Sequence, residues 1–417
     1  IAIFGALKAG LTVVNINPLY TPREFSHQIE DAEVKAVLVL ANFLHTVHEA
    51  LPVTHLKHVI VTEVWDMLSS AKSYIINFAA RRESKLTKED EIPDAIPFKT
   101  ALKKGKSAKL KAVEVGKNDI AFLQYTGGTT GVSKGAMLSH RNIIANLEQS
   151  FAWMASGISE DNASQEVAVT ALPLYHIFSL TINCFVFMKV GVLNILIANP
   201  RDIAGFVKEL KKHQVTVFMG VNTLFKALML HKKFKDIDFA SLKIVIGGGM
   251  AMHPSVADRW KMLTGAPLLE EYGLTEASPA VCCNSLDSEG HNGSIGYPMP
   301  STDIKIIDDA GLALSIGEVG ELCIKGPQVM LGYWNKPEET SMVFTDDGWL
   351  KTGDIAKIDE EGLVYIVDRK KEMIVVSGYN VYPSEIELIL ASHPDVAEVA
   401  VLGIPSERTG EFIKAFV

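Results

Sequence analysis

Short apolar runs alternate with segments whose apolar positions recur at helical spacing, and this rhythm holds along most of the chain before Gly293. Residues 1–10 repeat as a helix and stop at Gly10, residues 11–15 read as a strand, and residues 18–24 turn into a helix reaching about Ala32. Buried strands are predicted at Ala36–Leu40 and His58–Thr62, then strand-and-loop units at 215–223 and 242–250. Such alternation predicts an α/β fold, layered, with largely parallel strands. From Gly293 onward the pattern changes to short strands between Gly- and Asp-rich turns, at Asp303–Ile307, Gly320–Lys325 and 362–367, which predicts a small β-rich subdomain.

Two stretches depart from the rhythm. Along 65–82, Trp65, Leu68, Ala71, Ile75, Phe78 and Ala79 share one helical face, ringed by Lys72, Arg81, Arg82 and Lys85. Such a face either packs on its own domain or touches a membrane surface. Residues 167–188 carry no formal charge when His176 is neutral, and by length alone they could span a bilayer. Pro173, His176, Ser179, Thr181 and Asn183 interrupt the run, so a strand end turning into a buried helix is the reading.

A chain of 417 residues, 48% hydrophobic, is long enough for two or more domains with large cores. Its formal charge of −9 leaves no basic field to hold nucleic acid. The cysteines at 184, 282, 283 and 323 form no CxxC pair, which suits a reducing cytoplasm. The chain begins without Met inside a helical pattern and stops at what reads as mid-strand, so an internal fragment is expected.

The densest chemistry lies at 125–135, YTGGTTGVSKG, directly after a short apolar strand at 120–123. Glycines let successive backbone N–H groups turn toward one anion, hydroxyls add donors, and Lys134 adds a compact positive charge. A plain solvated loop has the same composition. Ser133 before Lys134 and Gly135 after it exclude the GxxxxGK[ST] pattern of P-loop NTPases. Ser139 is the natural cap of a helix over 141–147.

Further motifs follow. YGLTE at 272–276 places Tyr272, a flat ring suited to a purine, near Glu276, a carboxylate able to hold Mg²⁺ beside phosphates. Thr352-Gly353-Asp354 is either a β-turn or a carboxylate for ribose hydroxyls. Gly247-Gly248-Gly249 is a tight turn or a ligand edge, without GxGxxG spacing. The run Asp368-Arg369-Lys370-Lys371-Glu372 marks a change of composition, and residues 377–387 read as a loop and helix start, with Ser384 capping and Glu387 completing the box.

YTGGTTGVSKG resembles the phosphate loop of the adenylate-forming enzymes, the superfamily of acyl-CoA synthetases, luciferases and peptide-synthetase adenylation domains. YGLTE is similar to the second signature of that family. Residues 347–371, DGWLKTGDIAKIDEEGLVYIVDRKK, resemble the signature of fatty acyl-CoA synthetases. With NPLYTPRE and LPLYHIFSLTINC, the similarity to the bacterial long-chain enzymes runs essentially from end to end.

The resemblance implies a large N-terminal domain over 1–367 with its β-rich subdomain at about 285–367, a hinge at 368–371 carrying Lys371, and a partial α+β C-terminal domain over 372–417. For the nucleotide it implies Thr126, Gly127, Gly128, Thr129, Thr130, Gly131 and Lys134, then Gly247, Gly248, Gly249, Glu271, Tyr272, Gly273 and Thr275, with Asp354 and Arg369 on the ribose. Tyr272 would pack on adenine, Thr275 would contact the α-phosphate, and Glu276 with Thr129 would hold Mg²⁺. The catalytic set becomes Thr129, Lys134, His176 and Glu276. The acyl group would meet His176, Val221, Thr223, Gly248 and Gly249, and the pantetheine arm of CoA would pass Ser377, Gly378 and Tyr379.

The implied reaction joins a long-chain fatty acid to ATP as acyl-AMP, then to CoA. Two anions must meet in the first step, and metal, amides, Lys134 and hydroxyls would offset their repulsion. The family's C-terminal lysine segment lies beyond residue 417, and Lys414 matches no motif, so the fragment is expected to bind nucleotide and adenylate feebly. Ser133 stands where a proline is common. A carrier-protein-loading or luciferase-like enzyme, and a non-catalytic nucleotide or fatty-acid binder, are the alternatives. A cytoplasmic protein touching the inner membrane face through 65–82, with a homodimer as default, completes the expectation.

Overall fold

The structure is a computed structural model that describes all residues except 65, 68–91, 127–132, 159–164, 378, 392, 394, 397 and 407. Apart from Asp66 and Met67, the expected amphipathic helix at 65–82 lies outside the described residues, as do Gly127 to Gly131 and Gly378. The chain divides into two compact units, Ile1–His140 with Leu331–Asn335, and Arg141–Met330 with Lys336–Val417.

The first unit opens with the helix Ala2–Lys8, closed as predicted by Gly10 at φ +71°. Its strands are β1 (Val13–Asn15), β2 (Ala36–Leu40), β3 (His58–Thr62), β4 (Ile96–Pro97), β5 (Ile120–Thr126) and β6 (Lys134–Ser139). Strands β2, β3 and β4 form a parallel sheet, while β5 lies between parallel β1 and antiparallel β6. The helix Pro22–Asp31 starts on a capping box, in which the Thr21 side chain accepts from Glu24 N–H and Glu24 accepts from Thr21 N–H at 2.8 Å. Phe25 and Ile29, one turn apart, then bury against Val47, Ala50 and Val59.

The second unit is built on a seven-stranded sheet of β7 (Val167–Thr170), β8 (Leu193–Leu196), β9 (Val217–Gly220), β10 (Ile244–Gly248), β11 (Leu269–Gly273), β12 (Ala280–Cys283) and β13 (Tyr297–Pro298). The order is β13-β12-β11-β10-β9-β7-β8, parallel from β8 to β11 and antiparallel at β12 and β13. Side chains alternate between two cores, as a pleated strand requires. Val169, Phe218 and Val245 join one with Trp260, whereas Ala168, Val217, Met219, Ile244 and Ile246 join the other with Phe178 and Ile182. Both faces are covered, which explains why these strands read as continuous apolar runs.

Residues 167–188 form β7 and then a buried helical run, Ile177–Ser179 followed by a π-helical stretch Leu180–Val186. Among the described residues no helix is long and apolar enough to cross a membrane.

Two antiparallel sheets complete the unit. One is β14 (Asp303–Ile307), β15 (Gly320–Lys325), β16 (Leu350–Ile358) and β17 (Val364–Arg369) in sequence order. The other contains β18 (Ile374–Val376), β19 (Tyr379–Val381), β20 (Ala400–Ser406) and β21 (Gly410–Phe416), ordered β19-β18-β21-β20. Of the two readings left open for Thr352-Gly353-Asp354, the free turn drops out, because the segment lies inside β16 with Gly353 at φ +75°. One sequence expectation changes. Ser384 is not a cap: the helix already begins at Pro383, the Ser384 N–H donates to Asp368 Oδ2 at 3.0 Å, and Glu387 accepts from Val401 N–H instead.

Candidate active site

In the first unit the motif strand and its return form one hairpin. Thr126 pairs with Lys134 across β5 and β6, so these two residues bracket the glycine-threonine segment. Its base is held by Tyr125, whose hydroxyl donates to Asp31 Oδ2 at 2.5 Å. Burial and that carboxylate push the Tyr125 phenol well up, so it stays a donor. A Cβ on Gly135 would come within 3.0 Å of the Tyr125 ring, which is why glycine follows the lysine. The Lys134 ammonium lies 5.2 Å from the Tyr333 ring centroid, a cation–π distance.

In the second unit β9, β10 and β11 are parallel, so their carboxyl ends emerge at one sheet edge, where open α/β sheets take ligands. Val221, Gly248, Gly249, Tyr272 and Gly273 therefore come out together. Gly249, at φ +76°, would place a Cβ 3.9 Å from Val221. A Cβ on Gly248 would lie 3.0 Å from the Glu271 carbonyl and 3.2 Å from the Phe178 ring, so glycine admits both neighbours. Thr223 is exposed on the helix Asn222–Leu230.

His176 stands at the start of the helical run, where Nδ1 accepts from Phe178 N–H at 3.3 Å. That bond puts the proton of the neutral ring on Nε2. Although one edge is exposed, the packing around the ring lowers its pKa below the ordinary value. It is a neutral donor at pH 7.

The tightest polar cluster joins motifs far apart in the chain. Tyr272 donates its hydroxyl to Asp354 Oδ2 at 2.5 Å across 82 residues, and Arg369 Nε stands 3.6 Å from Asp354 Oδ1. Pairing of Asp354 with Arg369 across β16 and β17 sets that contact. Thr352 accepts from Asp354 N–H at 3.1 Å and anchors the segment to Leu322. Burial raises the Asp354 pKa, with the Tyr272 bond and Arg369 opposing it. Thr275 and Glu276 begin a single 3₁₀ turn, and the Glu276 carbonyl accepts from Met330 N–H at 2.8 Å.

Among the described residues no group of three or more His, Cys, Asp or Glu could close round a metal.

Glu271, which the resemblance leads one to expect at the nucleotide, has a side-chain environment that the sequence does not reveal. Its carboxyl is buried, and burial alone lifts its pKa to about 8. A carboxyl with a folded pKa above its unfolded one contributes stability that is present below the unfolded pKa and fades as pH rises through 8. Wild-type stability should thus decline between about pH 4.5 and pH 8, by at most about 1.4 kcal/mol per pH unit, and Glu271→Gln should flatten that decline. Denaturant midpoints measured across that range check this; parallel curves for the two proteins would refute it.

Farther along, Ser377 has φ +53°, its N–H donates to Thr409 at 2.7 Å, and Tyr379 is exposed. Lys371 reaches Glu372 at 3.5 Å, with both side chains exposed. Its neighbour Lys370 bridges Glu321 at 3.0 Å and Asp309 at 3.1 Å. Sequence reading passed over Lys370, because in a run of charges nothing distinguishes the paired lysine.

Profiles of two families match the chain. That of AMP-binding enzymes matches residues 1–334, and that of the AMP-binding enzyme C-terminal domain matches 385–417. The chain belongs to the AMP-binding enzyme family. Among its relatives is the long-chain-fatty-acid–CoA ligase of Escherichia coli O157:H7, 52% identical over all 417 residues, which cover 74% of that protein. The enzyme of the same name from Bacillus subtilis is 38% identical with the same coverage. Among solved structures, ATP-bound MatB from Rhodopseudomonas palustris superposes with a TM-score of 0.79 at 28% identity, covering 99% of this chain and 74% of its own. The α/β fold agrees with the expected superfamily.

Proposed function

We infer that the protein is an AMP-forming long-chain fatty acid–CoA ligase. The observation carrying this is the 52% identity, along the whole chain, to a ligase of that name. In the first step a fatty carboxylate oxygen bonds the α-phosphorus of ATP, the bond to the leaving pyrophosphate oxygen breaks, and acyl-AMP forms. In the second, the CoA sulfur bonds the acyl carbon, AMP leaves, and the thiol proton passes to solvent or base.

The residue roles are those the family resemblance implies, and the chemistry of each side chain suits its role. Lys134 and the glycine-threonine segment take phosphate charge, the lysine as a compact cation and the glycines because backbone N–H groups beside them can turn to an anion. Tyr272 faces the adenine while Asp354 and Arg369 hold the ribose, a reading supported by their mutual contacts. Thr275 contacts the α-phosphate. Glu276, together with Thr129, would hold Mg²⁺, which supplies charge neutralisation at the phosphates. His176, neutral with its proton on Nε2, donates toward the acyl carboxylate. Val221, Thr223, Gly248 and Gly249 border the acyl path, and Ser377, Gly378 and Tyr379 border that of CoA. Residues 1–367 form the large domain, 368–371 the hinge about Lys371, and 372–417 belong to the C-terminal domain, a division supported by the match over 385–417.

AMP release measured with hexadecanoate, with and without CoA, tests the assignment. Release that needs CoA supports the ligase; release that needs a carrier protein instead would replace it with a loading enzyme. Glu276→Gln should raise the Mg²⁺ needed for half-maximal activity about tenfold, equivalent to roughly 1.4 kcal/mol. An unchanged Mg²⁺ dependence would remove Glu276 from the metal.

A cytoplasmic enzyme whose 65–82 segment meets the membrane surface suits a substrate dissolved in lipid. Flotation with anionic vesicles should recover less Phe78→Glu than wild type, and equal recovery would end that reading.

A further inference from the structure

Strand β16 carries Asp354 on a bulge. Between the pairs Cys323–Lys351 and Glu321–Ile355, β15 contributes Leu322 alone, while β16 contributes Thr352, Gly353 and Asp354. Such an insertion interrupts the ladder and re-aims the side chains it carries, and bulges recur beside active sites for that reason. Side chains and a neighbouring strand end replace the missing ladder bonds. Thr352 Oγ1 donates to the Leu322 carbonyl at 2.9 Å, and Glu321 Oε1 accepts from the Gly353 N–H at 3.2 Å. From the other side the Lys370 N–H donates to the Gly353 carbonyl at 2.9 Å.

A carboxylate is unfavourable in this place. The Glu321 side chain is only 10% exposed, and its charge is among the causes that raise the Asp354 pKa, so it opposes the ionised form of the residue it lies near. Lys370 offsets that charge, with its ammonium 3.0 Å from Glu321 Oε2. The second partner of Lys370, Asp309, is 88% exposed and contributes little. Glu321 therefore takes the glycine N–H on one oxygen and the lysine on the other, and Lys370 holds the same glycine through its backbone. Both peptide groups of Gly353, at φ +75°, are thus fixed by residues distant in the chain.

We propose that Glu321, held by Lys370, is a positioning residue: it fixes the bulge at Gly353 and so aims the Asp354 carboxylate at the ribose hydroxyls of the nucleotide. The proposal rests on the reading of Asp354 as the ribose ligand and adds two residues that touch no substrate. Glycine has the widest backbone freedom of any residue, so the direction of the side chain after it is set only by what holds the glycine. A carboxylate that must meet two hydroxyls at once tolerates little misplacement.

The test is calorimetric titration of the 417-residue chain at neutral pH with ATP and with 2′,3′-dideoxy-ATP, which lacks both hydroxyls. Wild type should favour ATP about a hundredfold. Glu321→Ala should cut that preference to about tenfold by weakening ATP, with dideoxy-ATP staying within about twofold of wild type. Glu321→Gln keeps an oxygen for the Gly353 N–H and should hold the preference within about threefold of wild type, whereas Lys370→Met, which strips the buried carboxylate of its cation, should cut it about fivefold. Thermal melts establish that each variant is folded, and Lys370→Met carries the test should Glu321→Ala fail to fold. An equal loss for both nucleotides would mean a structural role alone, and an equal gain would mean that Glu321 acts through its charge alone. Either result would overturn the proposal, as would an unchanged preference. A wild type that binds the two nucleotides equally, or binds neither, would instead overturn the ribose reading of Asp354, and the proposal with it.

Discussion

Replacing Asp354 by alanine is expected to weaken ATP binding about a hundredfold, roughly 2.7 kcal/mol. A carboxylate with four acceptor sites can take the Tyr272 hydroxyl on one oxygen and still meet ribose hydroxyls, and such charge-assisted bonds are the strong class. With its side chain only 15% exposed, Asp354 works where water competes weakly. Asp354→Asn keeps one acceptor in place and should lose only about tenfold. The raised pKa adds a pH signature: nucleotide affinity should begin to fall, as the medium is acidified, at a higher pH than for an ordinary aspartate. Calorimetric ATP titrations of the folded variants decide the matter. An alanine variant within threefold of wild type would take Asp354 out of the nucleotide site and leave its bond to Tyr272 as a structural tie.

Trp260→Ala should produce the largest loss of stability, about 3–5 kcal/mol. The indole is fully buried and meets the rings of Phe218, Phe225, Phe234 and Phe239 at centroid distances from 4.8 to 6.2 Å. Truncation would leave a cavity that rings anchored on several different elements cannot collapse to fill. Trp260→Phe should cost far less, below about 1.5 kcal/mol, because the indole N–H has no partner among the described residues and its removal offsets part of the lost volume. The unfolding transition of the second unit, followed in denaturant, reads both variants. Near-equal midpoints for Ala and Phe would show that this core repacks freely.

The strands around the nucleotide motifs were legible because of a physical regularity. In β7, β9 and β10 both faces are covered, so apolar side chains run without interruption and mark each strand. The capping box at Thr21 and Glu24 and the glycine stop at Gly10 are likewise local chemistry, complete within a few residues. Ser384 shows the limit of such signals. It has the sequence of a cap, yet the helix starts one residue earlier because Asp368, from a distant strand, takes the Ser384 N–H. Thr352-Gly353-Asp354 left a turn open as one of two readings and lies within β16, where pairing with β15 and β17 outweighs the local preference.

From its residues alone the chain determined its layered α/β class, its family, and the motif side chains that carry charge, since each depends on pattern or on neighbours close in sequence. Only tertiary structure decided that Tyr272 meets Asp354 across 82 residues, that Lys370 rather than Lys371 bridges Glu321 and Asp309, and that the Glu271 carboxyl and the Ser150 hydroxyl are buried. The difference has one cause. Propensity and periodicity are summed along the chain, whereas burial, which shifts a pKa or strands a hydroxyl, is set by atoms arriving from elsewhere in it.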